Sequence, residues 1–138
     1  MRIAVLSGAV GMALAFGTVA GLGMAPTARA ELPPNVQTIN VYRSSFTPSM
    51  MWDMSGVVVT LVNRDYSSHN IVLYKDFVRT SFAVTLAPGQ RYTLSEPLTC
   101  DGDCYNATYV FADANRSYIS SGYCYSFCGR LWIDNPAT

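Results

Sequence analysis

From Val36 onward polar and apolar side chains alternate with a period of two, and no segment longer than about ten residues carries a helical apolar stripe. Successive side chains of an extended chain point to opposite faces, so this pattern builds half-buried strands; a helix needs apolar residues three and four apart. Val36, Thr38, Asn40 and Tyr42 alternate with Gln37, Ile39 and Val41, and Met50, Trp52 and Met54 alternate with Met51 and Asp53. Val57 to Val62 is different: largely β-branched and uncharged throughout, it reads as a strand buried on both faces. Asn70 to Tyr74, Arg79 to Leu86, Arg91 to Leu94, Thr108 to Phe111, Tyr118 to Tyr125 and Leu131 to Ile133 supply the remaining strands. Turn chemistry separates them. Phe46-Thr47-Pro48, Gly56 and Asn63-Arg64-Asp65 interrupt the pattern, and Ala87-Pro88-Gly89-Gln90 puts Pro and Gly in the central places of a type II turn. Turn signals at such short spacing predict an all-β sandwich or barrel.

The alternation does not reach the N-terminus. Arg2 precedes an apolar, uncharged run from Ile3 to Ala25, and Ala28-Arg29-Ala30 after Pro26 offers a small-x-small cleavage pattern. Residues 1–30 therefore read as a secretory signal peptide, with cleavage expected after Ala30 and a secreted or periplasmic product. Left uncleaved, the run is long enough to span a bilayer, and membrane attachment is expected only in that case. Residues 31–138 remain as one domain with a modest core. They hold nine acidic residues against seven basic ones, a formal charge of −2, with no basic run. Nucleic acid and anionic membrane surfaces are excluded as expected partners. All four cysteines lie in this segment, and an oxidising compartment makes two disulfides the default reading, with three connectivities open.

Several pieces, in order, carry a family resemblance. Phe46-Thr47-Pro48 with Gly56, the run VVVTLVNRDYSSHN from Val57 to Asn70, and Leu86-Ala87-Pro88-Gly89-Gln90 are similar to successive segments of the cupredoxins. The resemblance implies a Greek-key β-sandwich of cupredoxin type, and it places His69 where that family has a copper-binding histidine. Cys124-Tyr125-Ser126-Phe127-Cys128-Gly129 resembles the copper-A loop of cytochrome oxidase subunit II, C-x-x-x-C-G-x-x-H-x-x-M, which implies Cys124 and Cys128 as bridging thiolates. Sulfur and imidazole donors favour copper over hard cations. Beyond Gly129 the two diverge: the loop's His falls on Trp132, which has no lone pair to offer, and its Met on Asn135. A type-1 copper site needs two His and one Cys, and His69 is the only histidine in the chain.

The copper reading thus rests on His69, Cys124 and Cys128, with electron transfer or Cu(I) carriage as the function and a redox or copper-delivery protein as the partner. It requires free thiols. The opposing reading is a metal-free binding module in which Trp132 fills the vacated pocket, disulfides staple the fold, and an aromatic patch around Trp132 and the tyrosines marks the partner surface. Cys100 and Cys104 repeat the spacing of four seen in Cys124 and Cys128, unlike the usual zinc-ribbon pair. Met50, Met51 and Met54 offer thioethers, but Met50, Trp52 and Met54 share one strand face and are expected to pack in the core. No nucleophile elbow, paired carboxylates or C-x-x-C redox motif is present, and catalysis is not expected.

Overall fold

The computed structural model describes residues 35–135. The signal peptide expected over residues 1–30 lies outside them. The described chain is eleven strands in the order β1 (Val36–Val41), β2 (Phe46–Thr47), β3 (Met50–Met54), β4 (Val58–Asn63), β5 (His69–Lys75), β6 (Val78–Leu86), β7 (Arg91–Thr93), β8 (Asn106–Asp113), β9 (Tyr118–Ser120), β10 (Tyr123–Ser126) and β11 (Cys128–Asp134). Among the described residues there is no helix, as the period-two pattern requires.

One sheet runs β2-β1-β4-β7 and the other β3-β11-β8-β5-β6. Within them β1 lies parallel to β4 and β3 parallel to β11, the remaining pairs being antiparallel. The inner faces meet in one core, with Ile39, Val41, Val59 and Leu61 from the first sheet against Ile71, Leu73, Phe111, Leu131 and Ile133 from the second. Each such side chain contributes roughly 1.5–3 kcal/mol by leaving water. The sequence reading of β4 holds: only Val58 in it is more than slightly exposed, and the Thr60 hydroxyl meets that of Thr93 at 2.8 Å.

Two expectations fail, both on the outer face of the second sheet. Met50, Trp52 and Met54 are not core residues; they are 60%, 66% and 48% exposed, and Met51 is the buried member. The parallel register sets Met51 beside Leu131 and Trp52 beside Trp132, so the phase that faces the core is the other one. Tyr118 to Tyr125 is not one strand but a hairpin of β9 and β10. Ser121 and Gly122, both at positive φ, make the two-residue turn that matches strand twist. A Cβ at Gly122 would overlap the Phe77 carbonyl, so the glycine also lets the hairpin lie close on the β5–β6 turn. There Phe77 stacks on Tyr123 with ring centroids 4.3 Å apart.

Candidate functional site

The loop from β4 to β5 is built around Asn63, which is fully buried. Its amide nitrogen donates to the carbonyls of Ser67 and Leu86 at 2.8 and 2.9 Å, and its carbonyl accepts the Asp65 N–H at 2.8 Å. This is an Asx turn, and it carries Asp65 back over the start of β5. Asp65 Oδ2 accepts the Ser67 hydroxyl at 2.7 Å and lies 2.9 Å from His69 Nε2, while Oδ1 accepts the Tyr66 N–H at 2.7 Å. The Ser67 hydroxyl is the main cause that lowers the Asp65 carboxyl from its ordinary 3.8 to about 2; partial burial opposes it, and the Tyr66 N–H and His69 add to it.

His69 is buried on the inner face at the end of the sandwich. Its Nδ1 lies 2.8 Å from Asp113 Oδ2, and Asp113 is itself buried at the end of β8. Both ring nitrogens therefore face carboxylate oxygens. Ionised carboxylates only accept, so the two contacts need two protons, held by an imidazolium or shared with one carboxyl. The assembly is fastened further. Asp113 Oδ1 accepts the Asn115 N–H at 2.8 Å, its own N–H donates to the Ser117 hydroxyl, and that hydroxyl donates to the Phe127 carbonyl. The Phe127 ring stands edge-on to the imidazole, centroids 5.7 Å apart.

The two cysteines of the proposed ligand set sit elsewhere. Cys124 and Cys128 are joined in a disulfide, as are Cys100 and Cys104, and among the described residues no cysteine is free. Of the three connectivities, the structure takes the one made of two local bridges. Cys128 pairs with Ala112 across β11 and β8, and Cys124 packs with Val72, Val110 and Ala112 in a small outer cluster. Asp113, next to Ala112, points the opposite way, onto His69. The imidazole and the sulfurs thus occupy opposite faces of the same sheet. Phe127, between the two cysteines, is the residue of this loop whose ring meets His69.

Nor do the two positions where the copper-A loop would have His and Met turn toward His69. Trp132 lies on the outer face, stacked on Trp52 with centroids 4.8 Å apart, and does not fill a vacated pocket. Asn135 donates to the carbonyls of Gly102 and Cys104 at 3.2 and 3.0 Å. Among the described residues, no group of three His, Cys, Asp or Glu is placed to hold a metal ion. A copper ion does not fit this donor set: both imidazole nitrogens are taken up by carboxylates, and disulfide sulfur is not a thiolate. Asp65 and Asp113, which define the His69 environment, were not singled out by sequence reasoning. Asp65 lies in a turn that was legible; Asp113 is 44 residues away from His69 and gave no local signal.

No family model matches the chain, and no curated protein matches it in sequence. Solved structures do. Amicyanin from Paracoccus versutus (Thiobacillus versutus) superposes with a TM-score of 0.52 at 12% identity, over 76% of this chain and 87% of that one. An oxidised single-substitution variant of amicyanin gives 0.51 at 17% identity, over 76% and 88%. A purple cupredoxin from Nitrosopumilus maritimus matches at 0.48 and 14% identity, over 70% and 98%. With its two facing sheets, its strand order and its likeness to amicyanin, the fold is a cupredoxin-type β-sandwich.

Proposed function

We propose that this chain is an exported, metal-free binding module in which a cupredoxin-type sandwich has exchanged its metal centre for an ionic core. The observation that carries this reading is the engagement of both His69 nitrogens by Asp65 and Asp113. One amicyanin structure is named as a Cu(I) form; in the present chain both His69 nitrogens are already engaged by carboxylates, which speaks against a ligand bond or general-base work there. Reducing the Cys124–Cys128 disulfide would not rebuild a centre, because the thiols would emerge on the other face of the sheet. Two disulfides suit an oxidising compartment and support export, together with the leader pattern of residues 1–30.

The binding surface in this reading is the outer face of the second sheet. Trp52 and Met50 are at least half exposed there, and Tyr118, Tyr123 and Tyr125 are at least half exposed on the β9–β10 hairpin. Aromatic and Met side chains are enriched in protein interfaces, and a contiguous exposed set of them marks such a site. The test is to export the full chain and count free thiols and bound copper on one sample after exposure to Cu(II). The expected result is no free thiol, no intense visible absorption and copper far below one per chain. Near-stoichiometric copper with intense visible absorption would return the protein to electron transfer or copper delivery.

A further inference from the structure

The end of the sandwich that carries His69 opens into a cleft of about 930 Å³, and its basic walls come from three separate loops. Arg43 follows β1, Arg64 follows β4 and Arg116 follows β8. These are three of the seven basic residues in a segment whose formal charge is −2, so the local sign opposes the average. Asp65 is the one acidic lining residue, and its Oδ2 is already turned onto Ser67, His69 and Arg116, the last at 3.5 Å.

The three guanidinium groups are not equivalent. Arg116 is fastened: Nη2 donates to the Ser67 hydroxyl at 3.0 Å and Nη1 to the Arg43 carbonyl at 3.4 Å. Among the described residues Arg64 uses Nε, which donates to Asn40 Oδ1 at 3.0 Å, and its two terminal nitrogens meet no acceptor there. The Arg43 guanidinium has no partner among the described residues. A guanidinium fork lacking an acceptor is the geometry that pairs two-pronged with carboxylate or phosphate oxygens. Like charges gathered around one concavity repel, and a bound anion relieves that repulsion. Tyr66 stands beside them, 99% exposed, and offers a ring face to the apolar part of a ligand. The volume lies within the usual span of small-molecule sites, about 300–1,000 Å³.

We propose that this cleft is an oxyanion-binding site, taking a small ligand whose phosphate or carboxylate group is gripped by Arg43 and Arg64 with Tyr66 against its body. The site is separate from the aromatic outer face, so its failure leaves the metal-free reading standing, and copper binding would leave this one standing.

The experiment is isothermal titration of the full chain at low salt, with inorganic phosphate in one arm and succinate in the other. Saturable one-to-one binding in either arm is the expected result, and the arm that binds identifies the anion. The double substitution Arg43→Gln with Arg64→Gln should weaken it about tenfold or more. Arg79→Gln, on β6 outside the cleft, should leave it unchanged. Arg43→Gln alone guards against loss through misfolding, since that guanidinium holds nothing in the described fold. No saturation in either arm, binding that survives both cleft variants, or an equal loss in Arg79→Gln overturns the proposal.

Discussion

His69 Nδ1 and Asp113 Oδ2 lie 2.8 Å apart, each residue about 1% exposed, on adjacent strands of one sheet. Taking Asp113 away leaves His69 Nδ1 unpaired, and taking His69 away leaves Asp113 Oδ2 unpaired, at the end of the core. Removal of one member of such a buried pair typically costs about 3–5 kcal/mol, while replacing both by apolar groups can cost little. Asp113→Ala is therefore expected to lower unfolding free energy by about 3 kcal/mol or more in urea titration. Asp113→Asn keeps an acceptor for the ring and should lose less. A change below about 1 kcal/mol for Asp113→Ala would mean that the contact holds nothing together.

Asp65 gives the pH dependence a direction. Its carboxyl is held at about 2 in the folded protein against an ordinary 3.8. Below that ordinary value the unfolded chain binds a proton that the folded one still refuses, so folding loses stability as pH falls from 3.8 toward 2. Above that window the contribution is fully present. Urea unfolding of wild type and Asp65→Asn between pH 6 and the acid limit should show a steeper loss in wild type through this window, with the two slopes alike above it. Parallel curves throughout would remove Asp65 as the source.

The disulfides make a prediction about mapping and about magnitude. Each closes a loop with a sequence separation of 4, so each restrains little of the unfolded chain. The loop-closure relation gives about 2 kcal/mol per bridge at this length, less than for bridges crossing between the pairs. Non-reducing peptide mapping should recover Cys100 with Cys104 and Cys124 with Cys128. Cys124→Ser with Cys128→Ser should cost about 2 kcal/mol in urea unfolding. Cross-pair peptides in the map would mean that the loops meet differently.

The parts of the fold legible in the chain were those written in local alternation and turn chemistry. Val57 to Val62 announced a buried strand because almost every side chain in it suits an apolar environment on either face. The β5–β6 turn gave no such signal: Asp76 and Phe77 both adopt positive φ there without a glycine, a conformation that sequence preferences argue against. Tertiary contacts secure it, with the Asp76 N–H donating to the Thr108 carbonyl and its Oδ1 accepting the Thr108 N–H, each at 2.8 Å. His69 was found through its position in a familiar segment, but its chemistry depends on Asp113, and strand pairing alone brings the two together. Cys124 and Cys128 were found for the same reason. The face they occupy is set by the register of β11 on β8, which a run of six residues does not encode.

That register also turns Leu131 inward and Trp132 outward, so Leu131 and the Trp52 ring stacked on Trp132 should respond differently to substitution. Leu131 is fully buried on the inner face, and Trp132 lies outward, stacked on the 66%-exposed Trp52. Leu131→Ala leaves a cavity among Ile39, Phe111 and the rest of the core, and losses of about 2–5 kcal/mol are usual for such truncations. Trp52→Ala removes a ring that is mostly in water and forfeits little beyond the stacking contact, about 0.5–1.5 kcal/mol. Urea unfolding of the two variants should therefore place Leu131→Ala well below Trp52→Ala. If Trp52→Ala proved as damaging as Leu131→Ala, the outer aromatic face would be part of what holds the sandwich together, and its exposure would no longer argue for a partner.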